Sequence, residues 1–466
     1  MTAIAPRPDL SPADALAALR RAIAGAIVAP GDRGWDEARV AWNLAVDPCP
    51  ALVALPSSAR DVAAVVAYAA EQGLQVAPQG TGHNAGPLGS LEDTILLKTE
   101  RLREVTIDPV ERTARVGAGV LWAEVTGPAS EHGLAPLACS SPDVSVVGYT
   151  VGGGLSWLSR RHGLAANSVL AIELVRADGR LVRCDRDNEP ELFSALRGGG
   201  GSFGVVTAIE FVLYPAPQVY AGALLWPWER ASEVLTAYVE WCRTAPDAIS
   251  TSARLLQVPP LPDIPEPVRG RQFVAIDGAY LGDPEAGAAA LAALRALEPE
   301  IDMFAPVPAA ALSHIHMDPE QPVPGHGDGM VLGELTPAAI ETLVGVAGPG
   351  SGSPLLAVEL RQLGGAVGVP PAEHGALAKI GGAFALFAVG MAMTPEMGAA
   401  VEAHIDRVTE AMDPWDAGRR YLNFTERSAD ASAFFPGGTL RRLQAVKRAF
   451  DPGDVFCANH PVPAAD

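Results

Sequence analysis

Apolar residues recur at helical spacing from the start of the chain. Leu16, Leu19, Ile23 and Ile27 share one face of a stretch at 11–28, Ser11 is placed to cap it, and Pro30-Gly31 ends it. The apolar run at 52–55 predicts a buried strand. A second helix follows Ser57 or Ser58, with Val62, Val65, Val66 and Ala69 turned inward and Gly73 at the left-handed closing position. The run at 74–77 predicts another strand, which leads straight into a loop of small and polar residues. Further strands are expected at 94–97, 105–107 and 113–116, with a helix at 121–132 stopped by Gly133. Strands at 171–175 and 180–183 flank Asp178-Gly179, a tight-hairpin signal, and a strand at 204–214 closes at Pro215.

After Pro217 the texture changes. Strand-like runs at 221–225, 273–276 and 383–389 mix with Ala-rich helical stretches at 231–243, 285–297, 336–346 and 395–412. Pro-rich loops lie at 258–267 and 319–325. The pattern predicts an α+β fold of two domains, 1–217 with its core at about 47–217 and 218–415 built on an antiparallel sheet covered by helices. A last segment, 416–466, holds Tyr421-Leu422-Asn423, a helix at 440–450 and a tail ending near Asn459.

Composition narrows the function. With 48% hydrophobic and 19% charged residues, 466 residues support a large core rather than disorder. A net charge of −20 repels phosphate backbones and anionic lipid, which argues against nucleic-acid and membrane partners. No uninterrupted apolar run reaches the ~18 residues of a membrane span. Cys49, Cys139, Cys184, Cys242 and Cys457 are scattered, without metal-ligand spacing, and read as reduced thiols of a cytoplasmic protein. Asp9 and Asp14 interrupt the N-terminal stretch, so no signal peptide is expected.

The loop Gly80-Thr81-Gly82-His83-Asn84-Ala85-Gly86 concentrates the candidate chemistry. Glycines let backbone N–H groups crowd around one anion, a diphosphate being the natural guest, with His83 facing whatever the diphosphate belongs to. A tight surface turn is the plain alternative. Elsewhere, His314, His316 and Asp318 suggest a metal site only weakly, because no third ligand cluster accompanies them; a loop or a substrate pocket fits better. His326 falls in the glycine-rich stretch 325–329, read as a flexible loop. Along 357–363, Glu359 and Arg361 share one strand face and Leu360 and Gln362 the other; Gln362 is the preferred pocket residue.

Together with Ser141-Pro142-Asp143-Val144, Gly152-Gly153-Gly154-Leu155-Ser156-Trp157, Arg161-His162-Gly163-Leu164, the run from Gly198 to Val206, Glu359 to Ala366, Tyr421-Leu422-Asn423 and Phe456-Cys457-Ala458-Asn459, the loop resembles the berberine-bridge-enzyme-like branch of the vanillyl-alcohol oxidase (PCMH-type FAD-linked oxidase) superfamily. The resemblance spans nearly the whole chain. It implies an FAD-binding domain, a substrate domain, and a C-terminal segment that returns to the flavin. It implies FAD contacts from Gly80, Thr81, Gly82, His83, Asn84, Ala85, Ser141, Pro142, Val144, Gly148, Gly152, Gly153, Gly154, Gly204, Val205, Val206, Tyr421 and Asn459. It also implies a covalent bond from His83 to the flavin 8α-methyl. Relatives often add a cysteinyl bond at the position matched by Ser141. Serine cannot form one, and Cys139 is offset by two residues, so a single attachment is expected. Relatives often carry Arg where Gln79 stands, which removes a positive charge here. The implied activity is oxidation of a small organic or secondary-metabolite substrate at a C–H next to O–H or N–H. Val144 matches a position where a small side chain admits oxygen, favouring an oxidase that makes H2O2. The alternatives are a dehydrogenase with another acceptor and a non-catalytic paralogue. Tyr421 is the candidate base, requiring a lowered pKa, or else a buried tyrosine satisfied by one hydrogen bond. Asn423 contacts substrate or supports the site. The oligomeric state is not readable.

Overall fold

The computed structural model describes residues 11–464. The stretch on which the signal-peptide reading rests begins with residues 1–10, outside the described residues.

The strand Leu52–Leu55, the helix Ala59–Gln72 and the strand Gln75–Gln79 form the expected unit. Ser58 caps the helix through the Asp61 amide, and Gly73 closes it at φ 71°. The four-stranded sheet runs Ala26–Val28, Leu52–Leu55, Thr94–Lys98, Gln75–Gln79; its last three strands are parallel and the first is antiparallel. The first helix ends at Ala22, and the rest of the expected helix becomes the strand Ala26–Val28. The reason lies at Gly25. A Cβ there would sit 2.2 Å from the Leu55 carbonyl oxygen, and the Ala24 and Gly25 amides turn to the Asp61 carboxylate at 3.2 and 2.9 Å. The five-stranded antiparallel sheet runs Val105–Asp108, Thr113–Gly117, Val205–Val212, Val169–Val175, Leu181–Cys184. Its hairpin turns at Gly179 with φ 76°. One apolar core, including Val65, Ile95, Trp122, Leu192 and Phe203, underlies both sheets.

The second unit is an eight-stranded antiparallel sheet. Its central strands run Val219–Pro227, Gln272–Tyr280, Ile249–Gln257, Ala357–Gln362, Phe384–Met391, Gly325–Leu332. The helices Ala231–Cys242, Pro337–Ala347 and Pro395–Met412 cover the outer face over Trp226, Tyr238, Leu343 and Ile405. The stretch at 285–297 breaks into Pro284–Ala290 and Ala292–Arg295. The expected flexible loop at His326 is instead the edge strand Gly325–Leu332. Its glycines make room for neighbours. A Cβ on Gly327 would lie 2.6 Å from the Phe387 ring, and one on Gly329 2.7 Å from the Phe424 carbonyl oxygen.

The units are locked together at several points. Arg160, almost fully buried, donates to the carbonyls of Ile249 at 2.8 Å, Ala245 at 3.1 Å and Leu363, and pairs with Asp247. Asn43 exchanges hydrogen bonds with the Gly325 backbone. The tail lies along Gln75–Gln79: the Val76 amide donates to Val455 O at 2.7 Å, and the Cys457 amide donates to Val76 O at 2.9 Å.

Candidate active site

The strand Gln75–Gln79 delivers the glycine loop to the seam between the two sheets of the first unit. Gly82 takes φ 88°, which favours glycine. A Cβ on Gly80 would strike Ser145 at 2.6 Å, so the loop and the start of the helix Val146–Val151 touch. His83 is held on three sides. The Trp42 ring stacks on it at 3.9 Å and 16°, the Thr81 hydroxyl meets Nδ1 at 2.7 Å, and Asp143 Oδ2 lies 3.6 Å from Nε2. Asp143 also accepts from Trp42 Nε1 at 2.5 Å and from the Ser141 hydroxyl at 2.8 Å. Burial works to raise its carboxyl, but His83, Ser141 and Trp42 together hold it below the usual carboxylate range. Asn84 ties the loop to the C-terminal segment by donating to Thr425 O at 2.9 Å and Leu422 O at 3.3 Å.

The loop leaves room and unpaired polar atoms for a large polar cofactor. Both polar atoms of the Gln79 side chain, His83 Nε2, Asn84 Oδ1 and Thr150 Oγ1 are buried without a partner among the described residues. Gly80, Thr81, Gly119 and Ser145 line a cavity of about 390 Å3 that carries charges of both signs, Lys98 and Arg103 against Glu37, Glu100, Asp143 and Glu320. Lys98 sits directly across from Gln79 in the parallel ladder, with its ammonium donating to Val40 O at 2.8 Å and 3.7 Å from Glu100. Sequence spacing could not find it, because the pairing of the two strands brings it there.

The glycine run serves a second purpose. A Cβ on Gly152 would lie 1.8 Å from Asn423 Oδ1, and one on Gly153, at φ 118°, 3.2 Å from the Tyr421 ring. The missing side chains thus admit Tyr421 and Asn423 from the C-terminal segment. Asn423 Nδ2 donates to Tyr149 O at 2.9 Å and to the Tyr421 hydroxyl oxygen at 3.1 Å. Burial pushes the Tyr421 phenol above its usual range, opposite to the lowering a free base requires; the Arg361 charge and the Asn423 amide pull it down.

Facing these residues, the inner side of the second sheet carries a buried ionic cluster. Arg254 makes a two-bond pair with Asp277 at 2.6 and 2.8 Å and donates to His316 O at 3.0 Å. His316 lies 3.0 Å from Asp318 and 3.5 Å from Glu359. Burial and Arg254 oppose its protonation, but Asp318 and Glu359 prevail and raise its pKa to about 9. Arg361 pairs with Glu359 and lies 5.0 Å over the Trp157 ring and 5.5 Å over Phe424.

Gln362 is not part of this face. It accepts from Thr251 Oγ1 at 2.9 Å and donates to Cys242 O at 3.3 Å, on the side covered by helices. The strand's alternation sends Glu359 and Arg361 inward instead, which corrects the choice of Gln362. His314 and His316 do not share a strand face. They end and follow the 3₁₀ turn Ala309–His314, and His314 points out to Glu320. His326 Nδ1 lies 3.6 Å from Glu402 on an outer helix. The remaining expected contacts are mostly backbone groups. Pro142 O and Val144 O accept from the Ala123 and Trp122 amides, the Gly148 amide reaches Ser145 Oγ, and Ala85 O accepts from Leu88 N. Val205 and Val206 pair with Val175 and Leu174 just before an irregularity in the ladder, and Gly204 precedes them. Asn459 Oδ1 accepts from the His460 amide. Trp42 and Asp143 were not chosen from sequence as partners of His83. Trp42 is 41 residues from the histidine, and Asp143 was visible only as a letter inside the Ser141–Val144 motif.

Residues 50–185 match the FAD binding domain family. The solved structure of 6-hydroxy-D-nicotine oxidase from Arthrobacter nicotinovorans superposes with a TM-score of 0.77 at 26% identity, over 93% of this chain and 96% of that one. The chain carries an FAD binding domain, and its fold is that of known FAD-linked oxidases. Physcomitrella patens BBE-like 1 shares the same fold at a TM-score of 0.85 and 20% identity, covering 97% of this chain and 99% of that one. In sequence, (R)-6-hydroxynicotine oxidase of Paenarthrobacter nicotinovorans is 35% identical over 205 residues, 44% of this chain and 45% of its own length. The matched stretch spans about half or less of the first four curated relatives. The family match ends at residue 185, and the sheet carrying Glu359 and Arg361 lies beyond it.

Proposed function

We propose that this protein is an FAD-dependent oxidase of the vanillyl-alcohol oxidase superfamily whose flavin is attached once, through His83. The observation that carries the reading is the setting of His83. It is clamped by Trp42, Thr81 and Asp143 in a glycine loop whose neighbouring polar atoms have no partner, across the glycine run from Tyr421. Gly80, Thr81, Gly82, Asn84, Ala85, Ser145 and Lys98 would hold the diphosphate side. Gly152, Gly153 and Gly154 would back the ring, and Gly204 to Val206 would offer main-chain groups to the adenine end. When bound, FAD supplies the acceptor for a hydride equivalent.

The chain's own residues divide the remaining work. Tyr421 takes a proton from the substrate O–H or N–H, and Asn423 holds the phenol oxygen by donating to it. Arg361 supplies positive charge toward the same oxygen and lies over the Trp157 and Phe424 rings. Glu359, Arg361 and His316 offer hydrogen bonds to a polar small molecule. Molecular oxygen is the second substrate, with Val144 beside its path. The hydroxyl at Ser141 and the half-buried Cys139 thiol, pushed up to about 11 chiefly by desolvation, both speak for one attachment only.

Mass spectrometry of the tryptic digest tests the tether: a flavin mass on the peptide carrying His83 is expected, and FAD released free by acid would overturn it. Stopped-flow reoxidation in air tests the oxidase assignment; slow reoxidation would point to a dehydrogenase. Among the described residues no helix is long and apolar enough to cross a membrane.

A further inference from the structure

We infer that Asp143 is a positioning residue that fixes the His83 imidazole as its Nε2–H tautomer and thereby makes Nδ1 the nitrogen that joins the flavin. This rests on the reading of His83 as the tether and adds a residue to it.

A carboxylate held ionised accepts hydrogen bonds and donates none. Asp143 Oδ2 stands 3.6 Å from His83 Nε2, a nitrogen with no hydrogen-bond partner among the described residues, so the negative charge beside it favours a hydrogen on that nitrogen. Nδ1 then keeps its lone pair and accepts from the Thr81 hydroxyl at 2.7 Å. The carboxylate cannot swing away, because Trp42 Nε1 and the Ser141 hydroxyl each donate to it, at 2.5 and 2.8 Å. Nor can the imidazole turn freely, since Trp42 also stacks on its face at 3.9 Å. One tryptophan thus orients both the acid and the ring. Ser141 gains a role as well: its hydroxyl steers Asp143. The partner of a histidine nitrogen sets which of its two nitrogens reacts.

Attachment joins Nδ1 to the flavin 8α carbon. That carbon loses one proton, the ring loses its Nε2 proton toward Asp143, and two electrons remain on the flavin until dioxygen removes them, with the two protons, as H2O2.

Two measurements on the full chain test the proposal. The first is 15N NMR of histidine-labelled protein prepared without flavin, with the His83 signals assigned by their loss in His83→Gln. The second is the rate of flavin attachment after FAD is added, with NMR of the isolated histidyl-flavin to identify the bonded nitrogen. Expected are a protonated Nε2, an Nδ1 linkage, and attachment slowed at least tenfold in Asp143→Asn, with a smaller slowing in Ser141→Ala. A wild-type Nδ1–H tautomer, an Nε2 linkage, or an Asp143→Asn chain with unchanged tautomer and rate would overturn the proposal. A protonated Nε2 that loses its preference in Asp143→Asn, in a chain that never acquires bound flavin, would uphold the role of Asp143 and overturn the tether.

Discussion

At the scale of single residues, the candidate site is a set of opposed environments. Tyr421 is buried, which favours the neutral phenol, yet an amide N–H points at its oxygen and Arg361 contributes positive charge. Such a group works as a base only while those two donors are present. Tyr421→Phe is expected to lower kcat by about 10²- to 10⁴-fold, the usual worth of a general base. Flavin content should not change, because the ring still fills the space beside Gly153. An unaltered kcat would remove Tyr421 from the mechanism. Asn423→Ala should move the rising limb of kcat/KM, where the base loses its proton, to higher pH, since the phenol loses a donor that favours its ionised form. His316 provides a different signature. Its pKa is raised in the fold to about 9 from an ordinary 6.5. The stabilisation it lends is therefore complete below pH 6.5 and lost as the pH rises through 9. Thermal melting of the wild type should fall across that window, and His316→Gln should flatten the fall; an equally steep fall in the variant would show that another group titrates.

At the scale of elements, the strand Ala357–Gln362 separates two kinds of consequence. Arg361 faces the site and Gln362 faces the helices. Arg361→Ala is expected to act on kcat and KM with flavin still bound. Gln362→Ala, which takes one of two partners from Thr251 and leaves the Cys242 carbonyl without its amide donor in a dry layer, is expected to cost about 1–3 kcal/mol of stability and to leave kcat nearly unchanged. Urea denaturation beside steady-state kinetics separates the two, and the reverse pattern would invert the assignment of faces. The strand was legible as an alternating pattern, but the pattern alone could not say which face meets the flavin domain. The helix Ala59–Gln72 and the hairpin at Gly179 were legible because their caps and turn residues act locally. The strands Ile249–Gln257 and Gly325–Leu332 were not, for different reasons. In the first, Ser250, Ser252 and Arg254 place polar side chains on a face that is buried only because the other unit covers it. In the second, glycines needed for close packing look locally like a loop. The loop at His83 was legible from its glycines and from family resemblance, whereas Asp143, Trp42 and Lys98 converge on it only through tertiary contact.

At the scale of the whole molecule, the site is closed by chain that comes from its far end. Tyr421 and Asn423 belong to a segment whose continuation runs through the helix Gly437–Phe450 and then lies along Val76, three residues before Gln79 at the foot of the glycine loop. What fastens it is one buried ion pair. Asp451 is fully buried and takes the Lys447 ammonium at 2.6 Å and the Val455 and Phe456 amides at 2.8 and 3.0 Å. Lys447 is buried too and also donates to Phe456 O at 3.2 Å. Lys447 also meets the largely exposed Asp454 at 2.8 Å, so removing Asp451 leaves the ammonium one partner and is expected to cost less than the about 3–5 kcal/mol of a fully unpaired buried charge. Asp451→Ala should therefore lower the melting temperature and release the tail from Val76. If the tail holds the rear of the cofactor loop in place, the variant should also attach flavin more slowly than wild type while the fold of both sheets persists by circular dichroism. Replacing the pair together, Lys447→Met with Asp451→Leu, removes both charges and should recover much of the melting temperature. The tail would still lack the acceptor for its Val455 and Phe456 amides, so flavin attachment should stay slow. Recovery of both properties in the double variant would mean that burial of the pair, and not the tail's hold on Val76, governs the cofactor loop.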